Sequence, residues 1–151
     1  MARTHFTALL FAAGISCGSA DGSGADALVD YQIESFMIVE SLTGTSGDPA
    51  NGKTVVMDLK RGNCLACHVM PIPEQPFHGD VGPPLIGIAK KYNEGQLRLR
   101  VVNAKVLNPL SVMPSFYKAE GLNRVLKEFQ GKTILTAQEV EDVVAYLLTL
   151  Q

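Results

Sequence analysis

The chain has 151 residues, with 13 basic and 15 acidic side chains, three histidines and a formal net charge of −2. That length suits one domain, and a mildly acidic balance with no basic block argues against nucleic acid as a partner while saying little about a protein one.

Residues 1–20 read as an export signal. Arg3 supplies a positive start, Phe6 to Ile15 a short, mostly apolar core, and Gly18-Ser19-Ala20 the small residues of a cleavage site. The apolar run is too short to span a bilayer and no later segment approaches that length, so the mature protein is expected to carry no transmembrane segment. Cys17 leaves a second possibility open. A lipoprotein signal also ends in small residues before a cysteine, although Gly14 stands where leucine is usual. Removing residues 1–20 takes away Arg3 and no acid, leaving 131 residues with a formal charge of −3.

Residues 21–46 form an N-terminal extension. Its apolar residues Leu28, Tyr31, Ile33, Phe36, Met37, Val39 and Leu42 recur at mixed spacing. One short helix packed on the domain surface is the expectation, and contact with a partner is the alternative. Thr43 to Gly47 reads as a hinge, and residues 47–151 as the principal domain. Asp48-Pro49 starts its first helix, with an acceptor at the cap and proline at the first position. Val55, Val56 and Leu59 supply the buried stripe, and Gly62 ends the helix. Gly52 either permits a close helix crossing or belongs to the cap.

Cys64-Leu65-Ala66-Cys67-His68 carries the chemistry. Two thiols three positions apart, followed at once by an imidazole, fit c-type haem attachment. The cysteines form thioethers to two vinyl groups, and the histidine is held at the iron as proximal ligand. A thioredoxin-like C-x-x-C wants a preceding buried strand and has no need of the histidine. A structural zinc site wants a second ligand pair, and the chain has none. The implied cofactor is one haem c with its iron, and an export signal agrees with attachment outside the cytosol.

Five prolines between Val69 and Pro84 make the next stretch a loop. Gly82-Pro83-Pro84-Leu85-Ile86-Gly87 is rigid and rich in free carbonyls, suited to accept a hydrogen bond from the second ring nitrogen of a ligand imidazole. Tyr92 to Leu107 is predicted as a middle helix with Leu97, Val101, Val102 and Leu107 inward, ended by Asn108-Pro109. A shorter segment spans Asn123 to Phe129. Thr136-Ala137-Gln138-Glu139 is a capping box, and Val140, Val143, Val144, Leu147 and Leu148 form the stripe of a terminal helix. Helices carry nearly all the apolar patterning, so the fold class is all-α.

The iron's second ligand separates electron transfer from ligand chemistry. Met70 follows His68 by two residues, too short a tether to reach the opposite face of a porphyrin. Met37 lies in the extension and Met57 on the first helix. Met113 stands 45 residues past His68, in a loop fixed by Pro114, and is the candidate. His78 competes for a bis-histidine site, although His78-Gly79-Asp80 reads as a solvent-facing turn.

The Asp48-Pro49 helix, C-x-x-C-H, G-P-x-L-x-G over 82–87, Met113-Pro114 and a terminal helix with Tyr146 together resemble a class I cytochrome c. That resemblance implies a small helical domain wrapped round one haem, first and last helices crossing at Gly52 and Tyr146, and the Pro83 carbonyl bonded to His68. The strings Gly62 to His68, Phe77 to Leu85, Val112 to Tyr117 and Gly131 to Thr136 narrow the likeness to the SoxX subunits of sulfur-oxidising bacteria, over residues 47–150. SoxX-likeness implies a periplasmic mono-haem partner of a SoxA-type cytochrome c, in a complex that couples thiosulfate to a cysteine of a SoxY-type carrier (L-cysteine S-thiosulfotransferase). The catalytic site is then expected on SoxA and no catalytic residue here. This chain would pass electrons to a soluble cytochrome c. A free-standing shuttle and a haem enzyme with a displaceable sixth ligand are the alternatives.

Overall fold

A computed structural model describes Met1 and residues 28–151; the export signal, Cys17 and residues 21–27 lie outside the described residues. Among the described residues there are three α-helices, α1 (Pro49–Met57), α2 (Glu94–Asn103) and α3 (Ala137–Thr149), joined by loops that carry short 3-10 turns. The only β-pairing among them is one isolated bridge between Glu34 and Met37. None of the helices described is long and apolar enough to cross a membrane.

Each helix begins where its side chains satisfy the free backbone N–H groups of a first turn. Asp48 accepts from the Ala50 amide, with Pro49 at the first position. Asn93 and Gln96 form a reciprocal capping box on α2, as Thr136 and Glu139 do on α3. The first helix stops at Met57, five residues before Gly62. Asp58 turns to an extended conformation there, and its carbonyl accepts from the Arg61 and Asn63 amides to close a tight turn. Leu59, expected in the buried stripe, therefore falls in that turn and is exposed, while Val55 and Val56 are fully buried. Gly62 serves a different purpose from a helix stop. A Cβ there would lie 2.5 Å from the Val55 carbonyl oxygen, so the chain before the cysteines passes against α1.

The core forms where α3 meets α1 and α2. A Cβ on Gly52 would sit 1.9 Å from the Asp142 carbonyl oxygen and 2.9 Å from Tyr146 Cβ, so the close-crossing reading of Gly52 is the one the backbone requires. The Asp142 carboxylate caps the crossing. It accepts from the Asp48 amide at 2.8 Å, Asn51 Nδ2 at 2.6 Å and Gln138 Nε2 at 2.8 Å.

The extension differs from expectation. Residues 28–47 contain no helix. Ser35 and Phe36 both have positive φ, and the Glu34 and Met37 amides and carbonyls exchange hydrogen bonds at 2.9 Å, making a tight hairpin turn. The segment is held by tertiary bonds. Ile38 N donates to the Gly95 carbonyl, Leu42 N to the Glu141 carboxylate, and Val29 N to the Tyr117 hydroxyl. Arg98, 1% exposed, pairs with Glu141 through Nε and Nη2 and donates to the Ile38 and Val39 carbonyls. Ile38 and Leu42 thereby join the same buried core as the helices.

Candidate functional site

The pentapeptide at 64–68 sits on a 3-10 turn, Cys64–Ala66, entered through Asn63 in the left-handed region. Cys67 N and His68 N both donate to the Cys64 carbonyl, at 3.1 and 2.9 Å, which curls both thiols and the imidazole towards one side. The two cysteines are not joined to each other. Burial pushes the Cys64 thiol up to about 12. Redox-active C-x-x-C pairs work through a thiolate of lowered pKa, so this environment is wrong for that chemistry.

The 79–85 loop is fastened to the turn and the residues after it. Gly79 N donates to the Leu65 carbonyl at 2.8 Å, Gly82 N to Cys67 at 2.7 Å and Leu85 N to Val69 at 2.9 Å. A Cβ on Gly82 would meet His68 Cε1 at 2.4 Å, so only glycine lets the loop lie flat on the imidazole. The next residue supplies the contact that matters. His68 Nδ1 lies 2.7 Å from the Pro83 carbonyl oxygen. A carbonyl can only accept, so Nδ1 carries the proton and Nε2 keeps its lone pair for a metal.

Two adjoining cavities open from His68. One, of about 150 Å³, reaches inward between α2 and α3; the other, of about 550 Å³, opens to the surface. Both are lined by Cys64, His68, Pro83, Met113 and Phe116, and Cys67 lines the outer one. Met113 is the only methionine lining either cavity. Met70 is buried in the core, and Met57 packs against it. The Met113 loop is anchored to the end of α2. Phe116 N and Tyr117 N donate to the Val101 and Val102 carbonyls, Ser115 Oγ to Asn103 Oδ1 at 2.7 Å, and Lys105 Nζ to the Ser111 and Met113 carbonyls. Lys105, Asn103 and Ser115 carry no signal in the sequence, because each acts through a loop carbonyl or a side chain brought close only by the fold.

His78 lies elsewhere. It lines neither cavity, and its Nδ1 accepts from the Met70 amide at 3.2 Å, with Nε2 buried and without a partner. The solvent-facing turn expected there is thus turned inward, because Gly79 packs so tightly that a Cβ would lie 2.0 Å from the Ala66 carbonyl oxygen.

The site fits a haem. It offers two thiols, one imidazole with a free Nε2, a thioether and an apolar slot within the volume usual for cofactor pockets. The cytochrome c family model matches residues 49–151. No curated protein matches the chain. Among solved structures, a chain of the SoxXA crystal structure from P. pantotrophus is 40% identical, with a TM-score of 0.72, covering 81% of this chain and 93% of that one. An imidazole aimed by a proline carbonyl, in a slot it shares with a single methionine, is therefore one instance of a shared design: this chain belongs to the cytochrome c family, as a SoxX-type member carrying covalently bound haem c.

Proposed function

We propose that this chain is the electron-relay subunit of a periplasmic thiosulfate-oxidising complex, docked on a SoxA-type cytochrome c. Cys64 and Cys67 would hold the haem through thioethers, and His68 Nε2 and the Met113 sulfur would be the protein ligands of its iron. Bound there, the haem would supply one-electron exchange, and with His68 and Met113 both ligating it the iron would offer no place to substrate. Coupling thiosulfate to a thiol on the SoxY-type carrier forms one sulfur–sulfur bond and releases a proton and two electrons. This chain takes those electrons from its partner singly and delivers each to a soluble cytochrome c.

The observation that carries this reading is the rim of the outer cavity. Leu59, Val81, Leu110, Val112 and Ile134 line it and are exposed, Leu110 at 90%. Arg61 is the only charged residue lining that cavity, and it is tied to Asp58 at 2.8 Å and Glu139 at 2.9 Å. A diffusing shuttle steers its encounters with clustered charge, whereas an uncharged apolar rim suits a partner that stays bound. The SoxXA crystal structure, as its name says, pairs two such components.

The test is assembly with the SoxA-type partner. The haem-loaded chain is expected to elute with it as one species, and Leu110→Asp with Val112→Asp to weaken that association by roughly tenfold or more, as expected for a charge buried without a partner. A wild-type chain that stays monomeric beside the partner would sink the reading in favour of a free shuttle.

A further inference from the structure

We propose that Lys105 is a positioning residue for the iron's sixth ligand: its ammonium, set between the Ser111 and Met113 carbonyls, holds the Met113 loop at the cavity and keeps the haem closed to other small ligands. The inference rests on Met113 being that ligand. None of residues 108–114 is buried; Leu110, Val112 and Pro114 are exposed and Met113 is half-buried. Packing therefore does little to fix this loop, and its position depends on polar bonds. Those made within it close a turn and nothing more. Leu110 N donates to Asn108 Oδ1 at 3.0 Å, and Ser111 N to the Asn108 carbonyl at 2.9 Å.

At Met113 itself both backbone polar groups are taken by side chains. The amide donates to Ser111 Oγ at 3.2 Å, inside the same loop, and the carbonyl accepts from Lys105 Nζ, also at 3.2 Å. Lys105 Nζ donates to the Ser111 carbonyl as well. Among the described residues, Lys105 is the only one outside the loop that hydrogen-bonds residues 109–114. It lies in the 3-10 turn Ala104–Val106, which continues α2. Just before it, the Val101 and Val102 carbonyls and the Asn103 side chain hold residues 115–117. The chain from Ser111 to Tyr117 thus hangs from residues 101–105, and Lys105 is the fastening at the ligand.

An ammonium suits that place. It has three donors and no acceptor, so it can bridge two carbonyls, each of which only accepts. Lys105 enters no ion pair among the described residues, so no carboxylate draws it away. Closure has a purpose in the relay proposed above. Soft sulfur anions such as thiosulfate are themselves ligands for iron, and a thioether that swung away would leave them a place. The fraction of molecules with Met113 away sets the apparent affinity for any entering ligand.

Imidazole binding to the oxidised haem-loaded chain, followed by absorbance, reads that fraction. A neutral ligand is chosen so that losing the lysine's charge does not itself bias the result. Lys105→Leu, which removes the donors, is expected to bind imidazole roughly tenfold more tightly than wild type and to weaken the sulfur-to-iron absorption. Lys105→Arg, which keeps charge and donors, should stay within about twofold of wild type. Wild-type imidazole affinity and absorption in Lys105→Leu overturn the proposal. Should that variant hold no haem, nitrogen-15 NMR of the Lys105 ammonium in the wild type decides. Couplings across hydrogen bonds to the Ser111 and Met113 carbonyl carbons support the clamp; a freely exchanging ammonium without them refutes it. Met113→Ala, measured alongside, separates the two claims. If it opens the iron to imidazole while Lys105→Leu does not, the clamp alone fails; if it leaves imidazole binding unchanged, Met113 is not the ligand and both fall.

Discussion

At His68 the deciding atom belongs to another residue. The Pro83 carbonyl, 2.7 Å from Nδ1, fixes the tautomer and the ring plane, and Gly82 clears the space that lets it approach. The Met113 loop is set by Lys105, which donates to the Met113 carbonyl, and by the Ser115–Asn103 bond. Replacing Met113 with alanine is expected to abolish the long-wavelength sulfur-to-iron absorption, lower the potential and let carbon monoxide bind the reduced protein. An unchanged spectrum with no carbon monoxide binding would move the axial ligand elsewhere. That Met113 would share a cavity with the pentapeptide was legible in the sequence, because spacing, ring constraint and tether length are local. The inward turn of His78 was not, since it depends on which backbone lies opposite Gly79.

At the scale of elements, the crossing of α1 and α3 is locked by Asp142. Burial alone would raise its pKa, but bonds from Asn51, the Asp48 amide and Gln138 outweigh burial and hold it below the ordinary carboxylate value. A depressed folded pKa contributes stability above the unfolded value and loses it as pH falls through the folded one. Stability of the haem-loaded protein against guanidinium is therefore expected to decline below about pH 4. Asp142→Asn should cost about 1–3 kcal/mol at neutral pH, by placing an amide donor against three donors, and should flatten that acid decline. A variant as stable as wild type at neutral pH would contradict this. The starts of α1 and α3 were readable because their caps are written in adjacent residues, whereas α2, expected from Tyr92 to Leu107, begins at Glu94 behind the Asn93–Gln96 box and ends at Asn103. The extension was misread as helical for the opposite reason. What holds it is the buried Arg98–Glu141 pair, and in the sequence Arg98 looks like any helix surface charge.

At the scale of the whole molecule, His68 and Met113 line a largely apolar inner cavity, and the mouth of the outer one is rimmed by Leu59, Val81, Leu110, Val112 and Ile134. In the relay proposed above, this one arrangement would close the iron to substrate while keeping the haem edge near a bound partner. The all-α class could be read from periodicity, whereas the rim could not, because its members come from four separate stretches of chain that meet only in the fold. The most direct measurement is stopped-flow absorbance of this chain's haem within the reconstituted complex, mixed with thiosulfate and the SoxY-type carrier. The account predicts that the haem becomes reduced while keeping both axial ligands, and that it is reoxidised by a soluble cytochrome c. A haem that stays oxidised while the carrier is turned over, or that binds thiosulfate itself, would contradict it.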